Sequence, residues 1–184
     1  MADSTLTKKA LASALKELMQ EVPFEKINVG QICEKCDMNR KSFYYHFKDK
    51  YDLVNWIFDV EFISIVNKHA SDDHWESLET LSTYFYENRS FYRRALRISG
   101  QNSFSDHFRE YLYPVLRKRL EDITSIKNIH DFGIQLLVDV IMCAFERWLS
   151  EKDCMPPQQF VSIIKSLTQS VSASLYEEMN AEIK

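Results

Sequence analysis

The sequence predicts an all-α fold of about nine helices, and three observations predict it. Apolar residues recur at intervals of three and four along most of the chain. Helix breakers are scarce, with three Gly and four Pro in 184 residues, which leaves room for long helices. No stretch alternates apolar with polar residues as a half-buried strand does. Hydrophobic residues make up 45% of the chain, enough to build a core.

The first helix is expected from about Ser4 to Glu21, with Leu11, Leu15, Leu18 and Met19 on its inner face and Pro23 ending it. Asn28 followed by Gln31 has the spacing of a capping box. A short second helix follows, its inner face made by Val29, Ile32, Cys33 and Cys36. Asp37 falls in a tight turn where a positive φ is needed, and Asp tolerates that region better than most residues. Asn39 caps a third helix from Arg40 to about His46, anchored by Phe43 and Phe47. Asp49 caps a fourth, apolar almost all round, which suits a bridge between two domains. Further helices are expected from Asp72-Asp73, from Phe91 to Ile98 with a stop at Gly100, and from Ser103 with a kink or break at Pro114. The last two cover about 131–150 and 157–178, and the second of these carries Phe160, Ile163, Ile164, Leu167, Val171 and Leu175.

Charge divides the chain at about residue 50. Residues 1–50 hold nine Lys/Arg and seven Asp/Glu, so 9 − 7 = +2, and the remainder holds fourteen and twenty, so 14 − 20 = −6. A mildly basic head on an acidic body fits a small DNA-binding module attached to a separate regulatory domain. The expected division is a helix-turn-helix domain at 1–50 and a helical regulatory and dimerisation domain at 51–184. The sequence offers no signal peptide and no run of about 18 apolar residues. The expectation is therefore a cytoplasmic protein with no membrane partner and with reduced thiols.

The third helix carries the chemistry. Arg40 and Lys41 stand at its N-terminus, the end at which a recognition helix meets base edges in the major groove. Ser42, Tyr44, Tyr45 and His46 supply donors suited to phosphate oxygens. Lys48 and Lys50 add charge beyond its end, and Asn28, Gly30 and Asn39 lie where helix starts approach a nucleic-acid backbone.

Residues 5 to 58 resemble the N-terminal domain of the TetR/AcrR family of transcriptional regulators. The family's pattern is met by Val29, Ile32, Phe43, Tyr44, His46, Phe47 and Lys50. The family usually has Gly in the turn, where this chain has Asp37, and often a small residue second in the recognition helix, where this chain has Lys41. The second departure bears on the operator sequence, because the resemblance implies that this position reads bases. Residues 87 to 104, ENRSFYRRALRISGQNSF, resemble a subgroup that includes activator-like regulators of dihydroxyacetone kinase operons. That resemblance implies an effector that is either a small molecule or a protein.

The other constellations are weighed against plain structural roles. Cys33 and Cys36 form a C-x-x-C, but Cys143 and Cys154 are too distant in sequence to complete a zinc set by spacing, so a core role is expected for the pair. His69, Asp72, Asp73 and His74 are read as a loop and helix cap before a metal site. Arg89, Arg93 and Arg97 make a stripe read as a solvated face. Trp75, Tyr84, Phe85, Phe91, Phe104, Phe108, Tyr111, Phe145 and Trp148 are read mostly as core, with an apolar ligand cavity as the alternative. No nucleophile–base pair or phosphate loop is present, so neither an enzyme nor a cofactor is expected.

The reading is a dimeric, sequence-specific DNA-binding regulator, a repressor before an activator, modulated by an effector at the C-terminal domain. The last two helices are expected to pair between protomers, with Ile141 and Ile164 in the interface. The rivals are a protein-interaction and dimerisation module, and a thiol redox sensor using Cys33 and Cys36.

Overall fold

The computed structural model describes residues 2–68, 73–98, 100, 102–124 and 130–182. Among these there are nine α-helices and no strand. They are α1 (Ala2–Glu21), α2 (Val29–Lys35), α3 (Arg40–His46), α4 (Lys50–Lys68), α5 (His74–Glu87), α6 (Arg89–Ala95), α7 (Phe104–Thr124), α8 (Asp131–Ser150) and α9 (Pro157–Glu182). A 3-10 turn at Phe24–Lys26 joins α1 to α2. No helix among the described residues is long and apolar enough to cross a membrane.

The first three helices pack on one another around Leu11, Leu15, Met19, Ile32 and Phe43, each with 0% exposure. Local chemistry sets their limits as the sequence predicts. Asn28 and Gln31 close a reciprocal capping box, at 3.1 Å from Gln31 N to Asn28 Oδ1 and 2.9 Å from Asn28 N to Gln31 Oε1. Asp37 takes φ +53°, and the chain reverses there between α2 and α3.

α4 leaves this head and enters the body, where it packs against α5 and α7. Its Phe58 meets Phe85, Phe104, Phe108 and Tyr111 at centroid distances of 5.4 to 6.3 Å. Phe85 also stands 4.5 Å from Tyr92 and 5.2 Å from Phe145. These rings interlock and fill the space between α4, α5, α6, α7 and α8, so the aromatic set serves as core, and edge-to-face packing adds to its burial. Trp148 stacks on Phe160 at 4.2 Å and fastens the start of α9 to α8.

One expectation about the body changes in part. α7 runs through Pro114 without a break. Pro114 and Glu110 are both exposed, so water can take the carbonyl that proline leaves without an N–H partner. The interruption after α5 is one residue, Asn88, whose N–H and side-chain amide both donate to the Tyr84 carbonyl, at 3.2 and 3.0 Å. His69 and Asp72 lie outside the described residues, as does the loop ahead of Asp73. Asp73 itself caps α5, accepting from Trp75 N at 2.8 Å.

The last two helices carry an apolar stripe on the outside. Phe132, Leu136 and Val140 of α8 are 56 to 66% exposed, and Ile163 and Leu167 of α9 are 44 and 62% exposed. Ile141 and Ile164 do not belong to that stripe, since both pack against the core. They sit one position further round each helix, which is about 100° away.

Candidate nucleic-acid interface

α3 is held by what lies behind it. Phe43 is wholly buried, Phe47 is 3% exposed, and the two rings lie 5.8 Å apart. Asn39 Oδ1 accepts from Ser42 N at 2.8 Å and caps the helix. With that face spent on anchoring, Arg40, Lys41, Tyr44 and Tyr45 point outward, and Lys48 follows past the C-terminal end. Tyr45 is 82% exposed and Tyr44 59%, which leaves both rings accessible from the solvent side. Ser42 and His46 are half-buried at the flank, and the His46 ring lies 4.9 Å from that of Tyr45.

Arg40 lies back across the start of α2. A Cβ on Gly30 would stand 2.6 Å from Arg40 Nη2, so the glycine leaves the guanidinium its place. Asn28 and Asn39 each commit a side-chain oxygen to a helix cap, and a Cβ on Gly30 would also stand 3.0 Å from Asn28 Oδ1. The structure thus sets Asn28 and Gly30 at the start of α2 beside Arg40, while Asn39, Lys41, Ser42, Tyr44, Tyr45 and His46 are carried by α3 and its cap.

Lys50 stands apart from that group. Its ammonium donates to the carbonyls of Phe24, Ile27 and Glu25, at 2.7, 2.8 and 3.3 Å, and lies 4.4 Å from the Phe24 ring centroid. All three N–H bonds are therefore used within the head, and burial pulls its pKa below the ordinary lysine value. The phosphate contact expected from sequence gives way to a clasp between the 3-10 turn and the start of α4. Lys50→Met should destabilise the protein by about 1.5–3 kcal/mol, the range for hydrogen bonds to a charged group. It should leave the salt dependence of duplex binding unchanged. Denaturant melts and a salt titration check this, and a slope reduced by about one with stability intact would return Lys50 to the phosphates.

Sequence reasoning passed over Lys8. Its ammonium stands 5.6 Å from the Phe47 ring centroid and 5.7 Å from that of Trp56, which brings the N-terminal turns of α1 to the C-terminal end of α3. The lysine was visible in the sequence, but only tertiary packing places it beside the candidate face.

The C-x-x-C is structural. Cys33 and Cys36 are free thiols, and burial raises both above the ordinary thiol range, which disfavours the reactive thiolate. Cys36 Sγ donates to the Ile32 carbonyl at 3.3 Å. No group of three metal-ligating side chains gathers among the described residues.

Residues 11–57 match the family described as bacterial regulatory proteins, tetR family, and residues 73–170 match a family described as transcriptional regulator C-terminal region. The chain is 33% identical over 95 residues to the HTH-type dhaKLM operon transcriptional activator DhaS of Lactococcus lactis. That match covers 51% of each chain, so the chain spans about half the length of the curated relative it matches. In fold it is similar to a TetR transcriptional regulator from Streptococcus agalactiae, with a TM-score of 0.71 and 21% identity over 90% of this chain and 95% of that one. It is similar also to the dihydroxyacetone kinase operon activator DhaS, with a TM-score of 0.65 and 23% identity over 92% and 98% of the two chains. The narrower resemblance to that group of operon regulators is borne out with the broader one. The two family matches cover the head and more than half of the chain beyond it, and the chain belongs to the tetR family of bacterial regulatory proteins.

Proposed function

We propose that the protein acts as a homodimer that reads a near-palindromic operator with the outward face of α3, and that an effector acting on the body changes its affinity for that operator. One observation carries the reading: Phe43 and Phe47 pin α3 from behind while Arg40, Lys41, Tyr44 and Tyr45 are exposed on the other side. Arg40 and Lys41, at the N-terminal end, are assigned to base edges. Ser42, Tyr44, Tyr45 and His46 are assigned to phosphates, with Asn28, Gly30 and Asn39 at the backbone beside the two helix starts and Lys8 and Lys48 flanking them.

The second copy is argued from the stripe of Phe132, Leu136, Val140, Ile163 and Leu167. Two helices from each protomer, paired along such stripes, make a four-helix interface with two-fold symmetry. The two α3 helices would then meet half-sites about one helical turn apart or a little more.

The interlocked rings of the body support an effector, small molecule or protein, that binds an outer surface. One such groove, of about 600 Å³, runs between the end of α6, the start of α7 and α8 and is lined by Arg97, Arg109, Cys143 and Glu146. A coupling of about 1–3 kcal/mol would change operator affinity roughly 5- to 150-fold. Where the operator lies relative to the promoter sets repression or activation. DhaS, the relative named as an activator, is one example of the second sign.

Selection from a pool of random duplexes tests the reading. The expected product is one motif whose two halves are related by a two-fold axis. A pool that stays random after selection, or an unpaired single-sided motif, would contradict it.

A further inference from the structure

We infer that Arg94 is a positioning residue for DNA binding, fixing the angle at which the head is presented by fastening α6 to the C-terminal end of α1. The inference rests on the operator-reading dimer proposed above and adds a residue that acts without touching the duplex.

The chain joins head to body through α4 alone. A single helix resists bending but leaves rotation about its own axis weakly opposed, and a second tether away from that axis opposes it. Arg94 supplies the tether. Its Nη2 donates to the Gln20 carbonyl at 2.9 Å and its Nη1 to the Val22 carbonyl at 3.1 Å, across 74 and 72 residues of sequence. These carbonyls close α1, where the helix leaves acceptors without intrahelical donors and its dipole favours a cation. The planar fork of arginine spans two acceptors, which one lysine ammonium does less rigidly.

The same segment reaches the other way. Three residues on, Arg97 Nη2 donates to Ser150 Oγ at 3.1 Å, and its Nε lies 3.9 Å from Glu146 Oε1, both on α8. α8 bears the exposed apolar stripe. Beside Arg94, Lys16 of α1 pairs with both oxygens of Glu61 on α4 at 2.6 Å and lies 5.6 Å from the Phe91 ring centroid on α6. Tyr84 extends this junction into the body, donating to Glu61 at 3.3 Å and sharing a 2.5 Å hydrogen bond with the buried Tyr92 hydroxyl. One turn of chain thus links the helix assigned to dimer pairing with the first helix of the head. A displacement at α8, or in the groove beside Arg97, has a short mechanical route to α1.

The probe is the duplex that the unmodified full chain selects from a random pool, remade with its half-sites one or two base pairs closer or farther apart. The unmodified protein is expected to prefer its selected spacing by about tenfold or more. Arg94→Met is expected to bind all spacings within about threefold of one another, because heads that swivel find each register at similar cost. Its affinity for a duplex with a single half-site, and its melting temperature, should stay near those of the unmodified protein. Gln20 is exposed, so water can take its freed carbonyl. Arg94→Lys should recover part of the preference. A spacing profile in Arg94→Met like that of the unmodified protein would overturn the inference, as would equal loss on single and paired half-sites. If Arg94→Met melts early, Arg94→Gln, which keeps one donor, decides by the same profile. Failure of the unmodified protein to select any duplex would instead overturn the regulator reading beneath it.

Discussion

Leu136→Asp combined with Val140→Asp should convert the protein to monomers and reduce its affinity for the selected duplex by about 100-fold or more. Both side chains are 56% exposed and lie four residues apart on α8, with Phe132 one turn before them. An isologous interface doubles every substitution, so the two changes bring four carboxylates close to a shared axis. Taking such charges out of water without partners costs several kcal/mol each, more than a pair of helix stripes returns. The core is spared because neither side chain contributes to it, and the monomer should melt within a few degrees of the subunit it came from. The loss on DNA follows from geometry: two heads on one body make the second half-site an intramolecular event, and separate heads forgo it. Sedimentation velocity and duplex titration measure both effects. Intact dimers would remove this stripe from the interface while leaving α3 as the reading helix.

Arg40→Ala and Lys41→Ala should each weaken binding to the selected duplex by about 1–3 kcal/mol, roughly 5- to 150-fold, if the residue reads a base. Each stands at the N-terminal end of α3 on the solvent side, and the guanidinium of Arg40 rests over Gly30. Neither contributes to the core that holds the helix, so the fold should survive both. The diagnostic is selectivity. Loss of a base contact relaxes preference at one position of the half-site, whereas loss of a phosphate contact weakens all sequences alike. Repeating the selection with each variant separates the two. Full affinity in both variants would take the reading role away from this end of α3.

The head was legible in the sequence because its signals are local. The two members of the capping box are three residues apart, the αL turn is one residue, and the anchoring phenylalanines are four apart on one face. α3 occupies Arg40–His46, the range its cap and anchors predict. Sequence reasoning fell short where partners lie far apart in the chain. Lys50 carries the same charge as a phosphate-binding lysine, and only its acceptors 23 to 26 residues away give it a structural role. Arg94 reads as one more cation beside a surface stripe until α1 is packed against α6. Pro114 signals a break, yet the helix runs through it where water can reach the carbonyl left without a partner. Both α8 and α9 are apolar over a wide arc, and periodicity alone did not separate the half-buried Ile141 and Ile164, which pack against the core, from the exposed Val140 and Ile163.

The central claim is that the free face of α3 lies in the major groove with Arg40 on a base edge. Guanine N7 faces that groove, so methylation interference on the selected duplex tests the claim most directly. The expected result is a block by N7 methylation at a guanine in each half-site for the unmodified protein, with that block absent for Arg40→Ala and kept for Tyr45→Phe. Binding that tolerates methylation at every guanine, or an interference pattern unchanged by Arg40→Ala, would contradict it.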